Sequence, residues 1–240
     1  MKYLISNFAP DTYAVAIKDN ATWDVPTYTN FYVLIRKERI ILIDAGLKAY
    51  KPAVIKALAE IGVSPGSVTD LLLTHGHHDH VEGASVFTGA KKFVHNADLN
   101  LLNPVLVAQF ISYVKAENGD LLVAEDLREL EIIHVNSHTA GSVVIYDKVS
   151  KGMFVGDFFC FFGEALPAGV LVTYSAESRQ GSYQYVADQA AVGGSDFTSF
   201  MRGLERLLPY EPEFFCTGHG VILIGEIKQF IEELWKSGNT

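Results

Sequence analysis

Thr74-His75-Gly76-His77-His78-Asp79-His80 follows directly on the apolar run Leu71-Leu72-Leu73. Within it, His75, His77, Asp79 and His80 fit the pattern H-x-H-x-D-H. Packing gives no reason to crowd three imidazoles and a carboxylate into six positions. Coordination of divalent metals does, because neutral imidazole and carboxylate suit zinc and other borderline ions. In an extended loop His75 and His77 alternate and point the same way, while Asp79 and His80 come round the next turn, where they can serve a second ion. The same period turns His78 elsewhere, so it is not expected to be a ligand.

The cluster alone leaves two ions short of ligands, and three later positions can complete the set. His138 lies in the polar, turn-forming segment Ser137-His138-Thr139-Ala140-Gly141-Ser142, after an apolar strand. Asp157 ends the strand Met153-Phe154-Val155-Gly156-Asp157, and a carboxylate there can bridge two cations with its two oxygens. His219 lies in Thr217-Gly218-His219-Gly220, again just after an apolar strand. Strand ends gather at the rim of a sheet, where sites are commonly assembled. His95 and His134 stand alone and read as ordinary core or surface residues.

Composition narrows the class. With 240 residues, 49% apolar and 20% charged, the chain can bury a sizeable core, and one large domain spanning 1–240 is expected. The net charge is −9, with no basic stripe, which argues against a nucleic-acid partner. The two cysteines, Cys160 and Cys216, sit in apolar surroundings and suggest no disulfide framework, so a reducing, cytoplasmic setting is expected. Residues 1–11 carry no long apolar stretch of the kind a signal peptide needs, and no apolar run is long enough to span a membrane.

Pattern reading gives early strands at Tyr3–Phe8, Tyr13–Lys18, Phe31–Arg36 and Ile40–Asp44. A helix opens at Pro52 and ends at Gly62, and Val81–Phe87 forms a short helix. Asp98–Glu117 has helical spacing broken by Pro104; its stripe Val105, Leu106, Phe110 and Val114 reads as core, with a lid or dimer contact as the sharper option. Leu130–Val135, Val143–Tyr146, Gly152–Val155 and Phe214–Cys216 read as strands. Residues 158–195 show no firm period. Phe197–Leu208 is an amphipathic helix with Asp196 as its cap, and Glu226–Trp235 is a last helix. Strands and helices in both halves point to an α/β, four-layer αββα sandwich.

These landmarks, in their order, resemble the metallo-β-lactamase superfamily: Asp44-Ala45-Gly46, the Thr74–His80 cluster, His138-Thr139-Ala140-Gly141-Ser142, Gly156-Asp157 and Gly218-His219-Gly220. The resemblance implies two divalent ions per chain, zinc first, with iron or manganese as alternatives. It places His75, His77 and His138 on the first ion, Asp79, His80 and His219 on the second, and Asp157 as the bridge. It makes Asp44 a structural aspartate that supports the metal loop without ligating. Having both His80 and Asp157 is more similar to the lactonase, thioesterase and glyoxalase II branches than to true β-lactamases, many of which use a cysteine on the second metal. Glyoxalase II has a helical C-terminal extension, whereas only 21 residues follow His219 here. Flavodiiron proteins replace the second His of the motif with Glu, and nuclease branches carry extra nucleic-acid modules.

The implied function is a metallohydrolase in which a metal-bridging hydroxide attacks an ester, lactone or thioester of a small, partly apolar substrate, with Asp79 as a catalytic group that orients the hydroxide or carries a proton. Two alternatives stay open: a mononuclear-iron persulfide dioxygenase-like enzyme of the same fold, which the Gly193-Gly194-Ser195-Asp196 tract resembles weakly, and a catalytically inactive binding protein. Phe158, Phe159, Phe161 and Phe162, with Tyr174, Tyr183 and Tyr185, are candidate pocket walls, and Trp23 and Tyr28 can close the site from the other side. The expected partner is a small-molecule substrate, with a homodimer left open.

Overall fold

A computed structural model describes residues 2–19, 25, 27–115, 121–122, 127–161, 166 and 169–239. Among them the first sheet runs in sequence order: β1 (Tyr3–Ala9), β2 (Thr12–Asp19), β3 (Thr27–Arg36), β4 (Arg39–Ile43), β5 (Asp70–Leu72), β6 (Lys91–Val94) and β7 (Phe110–Ser112). The later strands are β8 (Val114–Lys115), β9 (Leu121–Leu122), β10 (Leu130–His134), β11 (Val143–Asp147), β12 (Gly152–Gly156), β13 (Val172–Thr173), β14 (Phe214–Thr217) and β15 (Ile222–Ile224). They form the second sheet in the order β13-β15-β14-β12-β11-β10-β9-β8.

The period of two along the strands decides the layers. On β3, Phe31 and Val33 face outward to helix α1 (Lys51–Glu60), packing with Val54 and Leu58. Tyr32 and Leu34 face inward, as do Ile41 and Ile43 of β4, and meet Val144, Met153 and Phe154 of the second sheet. The outer face of the second sheet is covered by α4 (Ala176–Val192), α5 (Ser195–Leu207) and α6 (Ile227–Ser237), which contribute Val186, Leu204 and Phe230 to the same core. This is the expected αββα sandwich. Two shorter helices complete the set among the described residues: α2 (His78–Val81) and α3 (Pro104–Val107).

Three sequence readings need correction. The helical spacing read over 98–117 gives only short turns among the described residues 98–115. Asn103 caps a single turn at Pro104, and the chain then extends as β7, pairing in parallel with β6. Its apolar stripe is core only in part: Val105 is 76% exposed, while Leu106 and Phe110 are half-buried against the core beneath the first sheet. Residues 176–192, read as irregular, are the longest helix described. Its inward face is Ser178, Ser182 and Val186, small or polar at helical spacing, so no apolar stripe announces it. Finally, Asp196 does not cap α5: Gly194 holds that position, and Asp196 lies in the first turn, where its charge suits the helix dipole.

Candidate metal centre

The site lies where strands end. β4 and β5 are parallel, and so are β12 and β14. The chain leaves β4 at Asp44, β5 toward His75, β12 at Asp157 and β14 toward His219, while His138 sits in the turn between β10 and β11. Carboxyl ends of neighbouring strands therefore converge on one rim, the usual place for a site in an α/β sheet.

All seven side chains singled out in the sequence meet there. His138 Nε2 lies 2.8 Å from His77 Nδ1. His80 Nε2 lies 3.4 Å from His219 Nε2, and Asp79 Oδ2 lies 3.2 Å from His219 Nε2. Asp157 stands between the two sets. Its Oδ2 faces His138 Nε2 at 3.5 Å and His75 Nε2 at 3.9 Å. Its Oδ1 faces His80 Nε2 at 3.2 Å and His219 Nε2 at 3.4 Å. Three groups can hold a metal ion: His75, His77 and His138; His75, His80 and Asp157; and Asp79, His80 and His219. His78 is turned out, with its side chain 61% exposed.

The donor set fits divalent ions on independent grounds. His75 Nε2 and Asp79 Oδ2 are buried without a hydrogen-bond partner, which is costly in a protein interior unless something else binds there. The far ring nitrogens of three histidines are engaged. His80 Nδ1 donates to Asp44 Oδ2 at 2.9 Å. His219 Nδ1 donates to the Tyr28 carbonyl at 3.2 Å. Thr74 Oγ1 donates to Asp44 Oδ2 at 2.8 Å, so it accepts from His75 Nδ1 at 3.1 Å. Each such bond fixes the tautomer that turns an Nε2 lone pair into the site.

A second set of residues holds the loops in place. Asp44, at φ 60°, also accepts from the Thr74 backbone N–H at 2.8 Å. On β3, Asn30 donates to the carbonyls of Thr217 and Gly220 at 3.0 and 2.9 Å, and the Tyr32 hydroxyl donates to Thr217 at 2.6 Å, pinning the loop that carries His219. Gly218 is required for close approach, because a Cβ there would collide with Asp157 Oδ1 and the His80 ring. Cys160 is half-buried and its thiol donates to Asp157 Oδ1 at 3.2 Å. Burial and the adjacent Asp157 carboxylate push that thiol well above its usual pKa, so it remains a donor.

Asp98 is the residue that sequence reading missed most completely. It is fully buried and accepts from Gly76 N at 2.8 Å, Gly141 N at 2.7 Å and Thr139 Oγ1 at 2.7 Å. One carboxylate thus clamps the His75–His77 loop to the loop that holds His138, itself at φ 78°. Asp98→Ala strips three donors of their acceptor. It is expected to cost about 3–5 kcal/mol of unfolding free energy and to weaken metal binding by roughly 10–100-fold. Denaturant unfolding and metal-competition titration check both, and a variant within about 0.5 kcal/mol of wild type, the usual scale for surface substitutions, would remove the clamp from the account.

The ionisation of the cluster is strongly perturbed. Burial works against a proton on His219, but Asp157 and Asp79 beside it raise its pKa from 6.5 to about 9. His80 is raised in the same way: Asp157 and Asp44 overcome burial. Burial would raise Asp157 and Asp79, yet the neighbouring imidazoles of His80 and His219 hold both below the carboxylate range. His75 and His138 are lowered, chiefly by burial. In chelator-treated protein, raised groups contribute stability that is present below their unfolded pKa of about 6.5 and lost as pH climbs through 9. Lowered histidines contribute stability that is lost as pH falls below 6.5. The melting temperature of chelator-treated protein is therefore expected to peak near pH 6.5 and to fall toward pH 9, with that alkaline limb shallower in His219→Gln. A melting temperature that rises steadily from pH 6.5 to 9 contradicts these ionisations.

A cavity of about 650 Å³ opens beside His138 and Asp157. Phe158, Phe159, Phe161, Tyr185, Phe197 and Phe200 form its apolar wall. Phe159 packs against Phe200 at 6.1 Å and Tyr185 at 6.5 Å between ring centroids. Tyr174 and Tyr183 instead line a separate recess with Arg179 and Glu226. Tyr28 meets the site through its backbone carbonyl. Trp23 and Phe162 lie outside the described residues.

Comparison with known proteins agrees with this geometry. A family model described as the metallo-β-lactamase superfamily matches residues 24–219. A beta-lactamase-like protein 2 homolog of Drosophila melanogaster is 27% identical over 85% of this chain and 63% of its own length. A hydroxyacylglutathione hydrolase of Jannaschia sp. is 32% identical over 44% of this chain and 39% of its own length. The chain thus spans less than two thirds of either relative. Among solved structures, a metal-soaked Flv1 flavodiiron core from Synechocystis superposes with a TM-score of 0.76 at 16% identity, covering 99% of this chain and 61% of that one. That likeness carries the fold alone.

Proposed function

The chain belongs to the metallo-β-lactamase superfamily, and on that premise we propose that it hydrolyses esters, lactones or thioesters of small, partly apolar substrates. In this reading two divalent ions, zinc first and iron or manganese as alternatives, are held by His75, His77, His138, Asp79, His80 and His219, with Asp157 between them. The observation that carries it is the split of Asp157, one oxygen toward His138 and His75, the other toward His80 and His219. Ions bound there supply Lewis acidity, which acidifies a water toward neutral pH and polarises an acyl carbonyl.

The chain's own groups do the rest. Asp79, a buried carboxylate 3.2 Å from His219 Nε2, is placed to accept a proton from the attacking water and pass it to the leaving group. His80 and His219 are oriented by Asp44 and by the Tyr28 carbonyl, so the electrophilic end is fixed before substrate arrives. The aromatic cavity takes up the acyl group and excludes water; each methylene buried there adds about 0.8 kcal/mol, roughly fourfold in affinity. A panel of aryl esters, lactones, thioesters, β-lactams, DNA and RNA on metal-loaded protein tests the reading. Turnover of acyl substrates that improves with modest acyl length is expected. Efficient cleavage of a nucleic acid with no acyl substrate turned over contradicts it. One iron per chain with oxygen uptake favours the dioxygenase alternative.

A further inference from the structure

We propose that the cavity selects neutral acyl groups and rejects those bearing a carboxylate, with Asp196 at its rim as a specificity determinant. The inference rests on the hydrolase reading and extends it to the substrate's far end. The wall beyond the metal ligands is aromatic, and its neutral polar groups are Ser137, Cys160, Ser178, Ser182 and Gln189. Its charged members are Asp157, which belongs to the metal end, and Asp196, exposed in the first turn of α5. No Lys or Arg is among the described residues that line it.

The arginine on α4 does not fill this gap. Arg179 donates to the carbonyls of Ile224, Gly225 and Glu226, and its guanidinium lies 4.7 Å from the Tyr174 ring centre, on the separate recess. A carboxylate carried on the acyl chain would leave water for aromatic surface with no counter-charge, and would meet the negative field of Asp196. A neutral chain of the same length meets neither penalty. Selection here works through an element that repels the wrong substrate as well as one that attracts the right one. The α5 N-terminus, which would otherwise favour an anion, carries Asp196 in its first turn.

The test compares kcat/KM for 4-nitrophenyl hexanoate and for 4-nitrophenyl hydrogen adipate on metal-loaded protein. The neutral ester should be favoured by at least about a hundredfold. Asp196→Lys and, separately, Gln189→Lys supply the missing cation, and each should narrow the ratio by about tenfold or more through a lower KM for the adipate. A wild-type ratio near one, or a ratio moved by neither variant, overturns the proposal. If neither ester is turned over, the wider acyl-substrate panel decides the hydrolase reading, and charge selection is read by binding instead. The chelator-treated full chain, where no metal competes for the carboxylate, should bind 4-phenylbutan-2-one about tenfold or more tighter than 4-(3-oxobutyl)benzoate. Equal affinities would overturn the inference on that arm.

Discussion

Asp157→Ala is expected to lose metal and turnover together, with activity down by on the order of a thousandfold, about 4 kcal/mol of transition-state stabilisation. The size follows from position. The Asp157 side chain is only 2% exposed, and its two oxygens face the two halves of the histidine cluster. Without it, two dications would face each other with no shared carboxylate between them. Metal content, measured on the same sample as kcat, should fall below one ion per chain, on the order of half the full complement or less. Asp157→Asn separates charge from shape. It keeps an oxygen for one ion and should retain more metal than the alanine variant, with activity still far below wild type. Full occupancy and normal turnover in Asp157→Ala would make this carboxylate structural only.

Asp44→Ala should show the second large effect, and it should appear in stability as much as in activity. Asp44 accepts from Thr74 N, Thr74 Oγ1 and His80 Nδ1, all inside the protein. Removing the carboxylate leaves three buried donors facing an apolar side chain and frees the His80 ring to rotate. Loss of a buried, charged acceptor of this kind costs about 3–5 kcal/mol. The alanine must also adopt φ 60°, a left-handed conformation unfavourable for it. Unfolding free energy should fall by that amount in chelator-treated and metal-loaded protein alike, and metal affinity should fall by roughly 10–100-fold. A variant with wild-type stability but reduced activity would make Asp44 a participant in the chemistry and not a support.

The chemistry-bearing side chains were legible because their types and order are unusual. The imidazoles of His75, His77 and His80 beside the Asp79 carboxylate have few explanations, and His138, Asp157 and His219 each follow an apolar strand that delivers them to one rim. The supports were less legible. Asp98 sits in an unremarkable His95-Asn96-Ala97-Asp98 segment, and only the meeting of two distant loops gives it three donors. Asn30, within β3, looks like a polar interruption until the loop of His219 packs against it. Helix α4 escaped for a different reason: it buries Ser178, Ser182 and Val186 against a cavity wall, so its pattern lacks the apolar period that marks a helix on a core. The stripe at 105–110 misled in the opposite sense, since apolar residues at helical spacing belong there to a short turn and an edge strand.

The central claim is that these seven side chains bind two ions as one unit, and counting ions tests it most directly. Chelator-treated protein titrated with zinc against a chromophoric competitor should take up two tightly bound ions per chain, and Asp157→Ala should bind neither with wild-type affinity. Stoichiometric binding of no zinc, or two ions retained with undiminished affinity in Asp157→Ala, would contradict it.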